Sequence, residues 1–107
     1  MKTLLEFMQI HHGQCDQLYA DGENSLLDEQ MEEGVGQITT FLSEMERHFL
    51  MEETVLFPTF EDISGMRQGP TQVMRMEHQQ IRNLLARMSD AVTRMDRDEI
   101  LEVGETL

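Results

Sequence analysis

Tryptophan is absent from this chain of 107 residues, tyrosine and cysteine occur once each, and proline occurs twice. Each scarcity closes off a class of protein. The lone cysteine, Cys15, cannot form an intramolecular disulfide, which excludes the stapled scaffolds of small secreted domains and suits a reducing compartment. With only Pro58 and Pro70 to interrupt them, long helices can run. Basic residues are scarce as well: 8 Lys and Arg stand against 21 Asp and Glu, a formal net charge of −13. Nucleic acid and anionic membrane would both be repelled by such a surface, so neither is expected as a partner. No apolar run approaches the roughly 20 residues that span a bilayer, and the opening MKTLLEFMQIHH lacks the apolar core of a secretory signal. The expectation is a soluble, cytoplasmic protein. Its length suits one domain over residues 1–107, with a modest core.

What the chain has in quantity is Leu, Met, Glu, Gln and Arg, the residues that build helices. Ten methionines read as filler of irregular helical cores rather than as metal ligands. Three apolar stripes step by three and four residues, the helical period. Leu5, Met8, His12, Cys15 and Tyr19 form the first, and Leu26 continues it past Gly22. Ile38, Phe41, Met45, His48, Glu52 and Val55 form the second, widened by Leu42, Phe49 and Leu56. Met74, His78, Ile81, Leu85, Met88, Val92 and Met95 form the third, after a start signal at Gly69-Pro70-Thr71. Inter-helix turns are expected at Glu33-Gly34-Val35-Gly36 and around Ser64-Gly65, both rich in helix-ending glycine. The fold class is all-α, an up-down bundle.

Three histidines and a glutamate fall on these seams, where an unpaired carboxylate would cost several kcal/mol. Antiparallel neighbours stand at one height when they lie equally far from their connecting turn. His12 or Asp16 meets His48 if the first turn centres roughly on positions 30 to 32, and His48 or Glu52 meets His78 if the second centres roughly on 63 to 65. A Gly-rich stretch begins just after the first region and Ser64-Gly65 falls in the second, so His12, His48, Glu52 and His78 are expected as metal ligands. His11 shares a stripe with Leu4 and Leu18 and could take the place of His12. Asp16, one turn after His12, could orient its imidazole or approach the metal. Glu46 and Glu53 lie off the stripe and are expected to face solvent, Glu77 to point about a quarter-turn from His78, and Cys15 to be a small buried hydrophobe.

The segments HHGQCD, MERHFLMEETVLFPTFE and GPTQVMRMEHQQIRNLL resemble the first three helices of bacterial hemerythrin-like (HHE cation-binding) domains, and the resemblance covers nearly the whole chain. It implies a four-helix bundle around a non-haem di-iron centre, with imidazoles as terminal ligands and glutamates as bridges. By position it makes His12 the first-helix ligand, His48 and Glu52 the second-helix pair and His78 the third-helix ligand. The animal oxygen carriers have a second histidine one turn after that last one, where this chain has Arg82, so the resemblance is to the bacterial type with fewer histidines. The family's fourth helix supplies a further His-x-x-x-Glu pair, and with a turn near Asp96 to Asp98 only the start of that helix falls within these residues. Three full helices are expected, with the remaining wall from a longer chain or from a second copy in a homodimer; otherwise the chain is a three-helix protein with a partial or empty site.

The function expected from the resemblance is iron-based binding of oxygen or another small diatomic, for sensing, storage or protection. Two rivals come from other classes. One is an enzyme of iron handling or iron–sulfur-centre repair, for which no second substrate site is visible, so a non-enzymatic role is favoured. The other is a metal-free helical association module whose seam polar groups fix register.

Overall fold

The computed structural model describes residues 3–107, with the side chains of Leu4 and Leu5 outside the described residues. Leu5 and Leu4, which lead the two first-helix stripes, thus lie outside the described residues in their side chains. Helix α1 spans Leu4–Leu27 and α2 Met31–Met51; a π-helical segment, Glu52–Leu56, leads without a break into α3, Phe57–Ser64. Helices α4, Pro70–Thr93, and α5, Arg97–Thr106, complete an all-α antiparallel bundle. Among the described residues no helix is long and apolar enough to cross a membrane.

Local chemistry explains most of these boundaries. Thr3 caps α1: its hydroxyl accepts from Glu6 N–H while the Glu6 carboxylate accepts from Thr3 N–H, a reciprocal capping box. Pro70 starts α4 at a position where the missing N–H costs nothing, and Gly65 ends α3 in the left-handed conformation at φ 74°. Asp96 caps α5 by accepting from Glu99 N–H.

The first turn is not where glycine suggested it. Helix α1 ends at Asp28-Glu29-Gln30, with Glu29 left-handed at φ 63° and Gln30 N–H reaching back to the Ser25 carbonyl. The turn after α4 is built the same way, with Met95 at φ 55° and Asp96 N–H on the Ala91 carbonyl. Both are Schellman caps made without glycine. Gly34 and Gly36 instead lie inside α2. A Cβ on Gly34 would stand 2.7 Å from Leu26 Cγ and 3.1 Å from Leu26 N, so this glycine serves the close approach of α1 and α2. Leu26 is fully buried and cannot turn away. We expect Gly34→Val to destabilise the fold by about 1–3 kcal/mol through overpacking. Gly36→Ala, where an added Cβ meets nothing within 4 Å, should stabilise it by up to about 1 kcal/mol. Urea unfolding of the two variants measures both, and equal effects would contradict the close-packing role.

The core runs through Cys15 and Leu26 of α1, Ile38, Phe41 and Phe49 of α2, Leu85, Met88 and Ala91 of α4, and Ile100 and Val103 of α5. The second and third stripes are inside for most of their length, with three departures, of which Met95, 49 % exposed, falls in the turn after α4. Met74 is more than a third exposed near the start of α4, and Val55 is 46 % exposed. The π-segment accounts for Val55, since Phe57 N–H bonds to the Glu52 carbonyl five residues back and the wider turn shifts the phase of everything after it. Pro58 supplies a cause: it has no N–H for the Thr54 carbonyl, and its ring would press against that group in a regular α-helix. Phe57, 1 % exposed, then becomes the buried anchor of α3.

Helix α3 is tied to α4 by a buried carboxylate. Glu61 Oε2 accepts from Thr71 Oγ1 and from Arg75 Nη1, each at 2.6 Å. The Arg75 and Thr71 hydrogen bonds hold the Glu61 carboxyl below its ordinary pKa. A depressed carboxyl pKa stabilises the fold above the unfolded value, about 4.3, and that contribution disappears as pH falls through the folded value. Melting temperature should therefore fall more steeply with acid below about pH 4.3 in the parent than in Glu61→Gln. Parallel acid limbs in the two proteins would refute this assignment.

Candidate metal centre

His48 sits in the last turn of α2 and Glu52 one helical turn later, where the π-segment begins. Their side chains meet: His48 Nε2 lies 2.7 Å from Glu52 Oε1. The other carboxylate oxygen, Oε2, is 3.8 Å from Nε2 of His78, which reaches across from α4. One carboxylate thus stands between the Nε2 atoms of two imidazoles on different helices. The expected convergence of His48, Glu52 and His78 is present.

Each imidazole is also held from behind. His78 Nδ1–H donates to Glu53 Oε2 at 2.7 Å, which leaves Nε2 with its lone pair toward the cleft. Phe49 stacks on the same ring, centroids 4.1 Å apart, and Phe57 covers it at 5.4 Å. On the other side, His48 Nε2 stands against Glu52 Oε1, and its Nδ1 shares a proton with His11 Nδ1 across 2.8 Å, one of the two nitrogens donating. His11 Nε2 is engaged in turn by Glu44 Oε2 at 2.7 Å.

The two adjacent histidines of α1 exchange the places expected of them. His11 is buried, whereas the His12 side chain is 63 % exposed at the rim of the cleft. The earlier turn is the reason: centred on Glu29, it pairs position 48 with positions 10 to 11 rather than 12. His12 still lines the cleft, its ring 5.7 Å from that of His48. Asp16 stands beside it, but 3.6 Å from His12 Nδ1 is too long for a hydrogen bond. Glu77, expected to point aside, also lines this cleft. Cys15 is fully buried, and burial pushes its thiol pKa up, with smaller contributions from Glu44 and Asp16. It behaves as the small hydrophobe expected.

Glu53 is a correction to the sequence reading. Instead of facing solvent it bonds His78 and receives Arg82 Nη1 at 2.9 Å, while Glu46 takes the other edge of that guanidinium, Nε at 2.9 Å. The signal available for this was Pro58, which breaks the helical phase just past these residues. Glu44 was legible too, one turn before His48, and His11 is one turn before the buried Cys15.

The electrostatics follow the burial. His48 is pushed down to about 4 by burial first and then by the neighbouring His11, His12 and His78, so it is neutral and a competent donor. Burial raises the Glu52 carboxyl against the opposing pull of His78 and His12. For Glu53, burial acts in the same upward direction, but Arg82 and His78 together hold it below the usual range. The Glu44 carboxyl is lowered chiefly by its bond to His11.

A cleft of about 570 Å³ opens beside Glu52, floored by His48, Phe49 and His78 and edged by His12, Glu77 and Tyr19. Among the described residues no three His, Cys, Asp or Glu side chains already surround one point at metal-binding distances. The donor chemistry nonetheless fits a divalent ion: two imidazoles with Nδ1 occupied and Nε2 inward, sharing one carboxylate, form the oriented N/O set that iron or zinc takes. A model of the hemerythrin HHE cation binding domain matches residues 3–107. No curated protein and no solved structure matches the chain.

Proposed function

The chain belongs to the hemerythrin HHE cation-binding family, and from that premise we propose that it holds a non-haem di-iron centre that takes up oxygen or a related diatomic, for sensing, storage or protection. The observation that carries this reading is Glu52 set between His48 Nε2 at 2.7 Å and His78 Nε2 at 3.8 Å. In this reading His48, Glu52 and His78 would hold the ions, with the Glu52 carboxylate shared between the two imidazoles, and His12 would join from the rim with Asp16 beside it. His11 has both ring nitrogens engaged, so its part is to orient His48 rather than to ligate. Iron, when bound, supplies the redox-active centre with open coordination positions that a diatomic needs.

The chain's own residues supply the surroundings. Phe49 and Phe57 cover one side of His78, and Phe41 and Met45 line the cleft above His48, which keeps water from that wall. Glu53 fixes the tautomer and tilt of His78, and His11 holds the tilt of His48.

The test is anaerobic loading with Fe(II), followed by oxygen or azide, with iron content and solution mass measured on the same sample. We expect about two irons per assembled bundle and charge-transfer absorption that changes on each addition. The solution mass shows whether a second copy completes the ligand set. Absence of bound iron after aerobic and anaerobic loading, with unchanged melting temperature, would reject the reading. It would favour a second one, the metal-free association module, which draws support from the fact that among the described residues no buried side-chain nitrogen or oxygen lacks a hydrogen-bond partner.

A further inference from the structure

Resting on the di-iron reading above, we propose that Arg82 is a positioning residue of the cation site, clamping Glu53 onto His78 and thereby fixing which nitrogen of that imidazole faces the ion. Residues adjacent in an α-helix point about 100° apart, so Glu52 and Glu53 would ordinarily serve different faces. At the start of the π-segment they bracket one ring instead, Glu52 on the Nε2 side and Glu53 on Nδ1. Arg82 lies one turn after His78 on α4 and holds Glu53 with both prongs, Nη1 to Oε2 at 2.9 Å and Nη2 to Oε1 at 3.1 Å.

The clamp has a fixed base. Arg82 Nε and Nη2 also reach the Glu46 carboxylate at 2.9 and 3.1 Å, so the guanidinium is gripped from two points about two turns apart, one on α2 and one in the π-segment. Its carbon sits 5.4 Å from the Phe49 ring centroid, and Phe49 is the ring stacked on His78. His78 is thus bound by face and by edge to groups that Arg82 organises. A planar fork is needed to hold one carboxylate with two prongs and another with its remaining edge, which an ammonium cannot reproduce. With Glu53 locked on Nδ1–H, the His78 Nε2 lone pair is directed at the cleft and the ring is made more basic toward a cation.

The test separates this role from the reading it rests on. In the metal-free protein, nitrogen-15 NMR of the imidazoles should show His78 as the Nδ1–H tautomer, with a hydrogen-bonded, slowly exchanging proton. In Arg82→Gln that proton should exchange faster and the tautomer should become mixed, while Arg82→Lys restores it only in part. Titration with Fe(II) alone should show affinity reduced by about 10- to 100-fold in Arg82→Gln, with the number of ions bound unchanged. Glu53→Gln should act likewise, and the double variant should be no weaker than Glu53→Gln alone, because Arg82 acts through Glu53. Arg87→Gln, which breaks the pair with Glu99 between α4 and α5, serves as the control for loss of an arginine ion pair on the same helix and should leave the tautomer unaltered. An unchanged His78 tautomer in Arg82→Gln would overturn the proposal, as would fully additive losses in the double variant. If the parent protein binds no iron the di-iron reading fails, and the tautomer measurement still decides the clamp.

Discussion

Glu52→Ala should abolish stoichiometric iron binding, a loss larger than the roughly 100-fold that removal of an orienting partner costs. Among the described residues no other carboxylate stands between the Nε2 atoms of His48 and His78, so its removal deprives both imidazoles of their shared oxygen donors. Glu52→Gln keeps one neutral oxygen acceptor and should retain residual binding. The metal-free protein should respond in the opposite sense. Burial already raises the Glu52 pKa, which marks the carboxylate as a poorly solvated charge, so Glu52→Gln should melt at or above the parent temperature. Glu52→Ala leaves the buried His48 Nε2 without its partner, at a cost of about 1–3 kcal/mol. Stability given up for a functional charge is a common trade. Anaerobic Fe(II) titration and thermal melting of the same three proteins read both halves. Parent-like affinity and stoichiometry in Glu52→Ala would refute the site.

Phe49→Ala should be the most destabilising single substitution near the cleft, by about 3–5 kcal/mol. Phe49 is 4 % exposed, belongs to the main core and fills the space between α2 and His78. Truncation removes its burial and opens a void against an imidazole that has no way to refill it. Domains of this size hold about 5–15 kcal/mol in all, so the melting temperature should drop by more than about 10 °C. Phe49→Leu retains most of the volume and should cost less than about 1.5 kcal/mol, while losing the ring stack on His78. A shift of only a few degrees in Phe49→Ala would mean that α2 and α4 close over the gap.

Much of the bundle was readable from spacing. The stripe that continues through Gly22 to Leu26 gave the full length of α1, Gly69-Pro70 gave the start of α4, and Gly65 gave the turn before it. The first turn was misplaced because its left-handed position is filled by Glu29, while the conspicuous Gly34 is required by contact with Leu26. Glycine marks both sharp turns and close approaches, and local sequence does not say which. The π-segment was missed because the apolar stripe runs on smoothly to Val55. Only Pro58, just beyond it, hinted that the period would not hold.

The amino-acid sequence by itself determined the helical class, the net charge of −13 and the one-turn spacing that brings His48 onto Glu52. All three depend on composition or on neighbours within a turn, where the α-helical period dictates geometry. The tertiary structure decided which of His11 and His12 enters the interior and that Glu53 and Arg82 belong to the surroundings of His78. Neighbours along a helix point about 100° apart, so a shift of one position in a turn, or one residue added to a helical turn, exchanges which of two adjacent side chains faces the seam. That shift is set by how whole helices pack, through Gly34 against Leu26 and through the phase change at Glu52–Leu56, and local spacing holds no record of it.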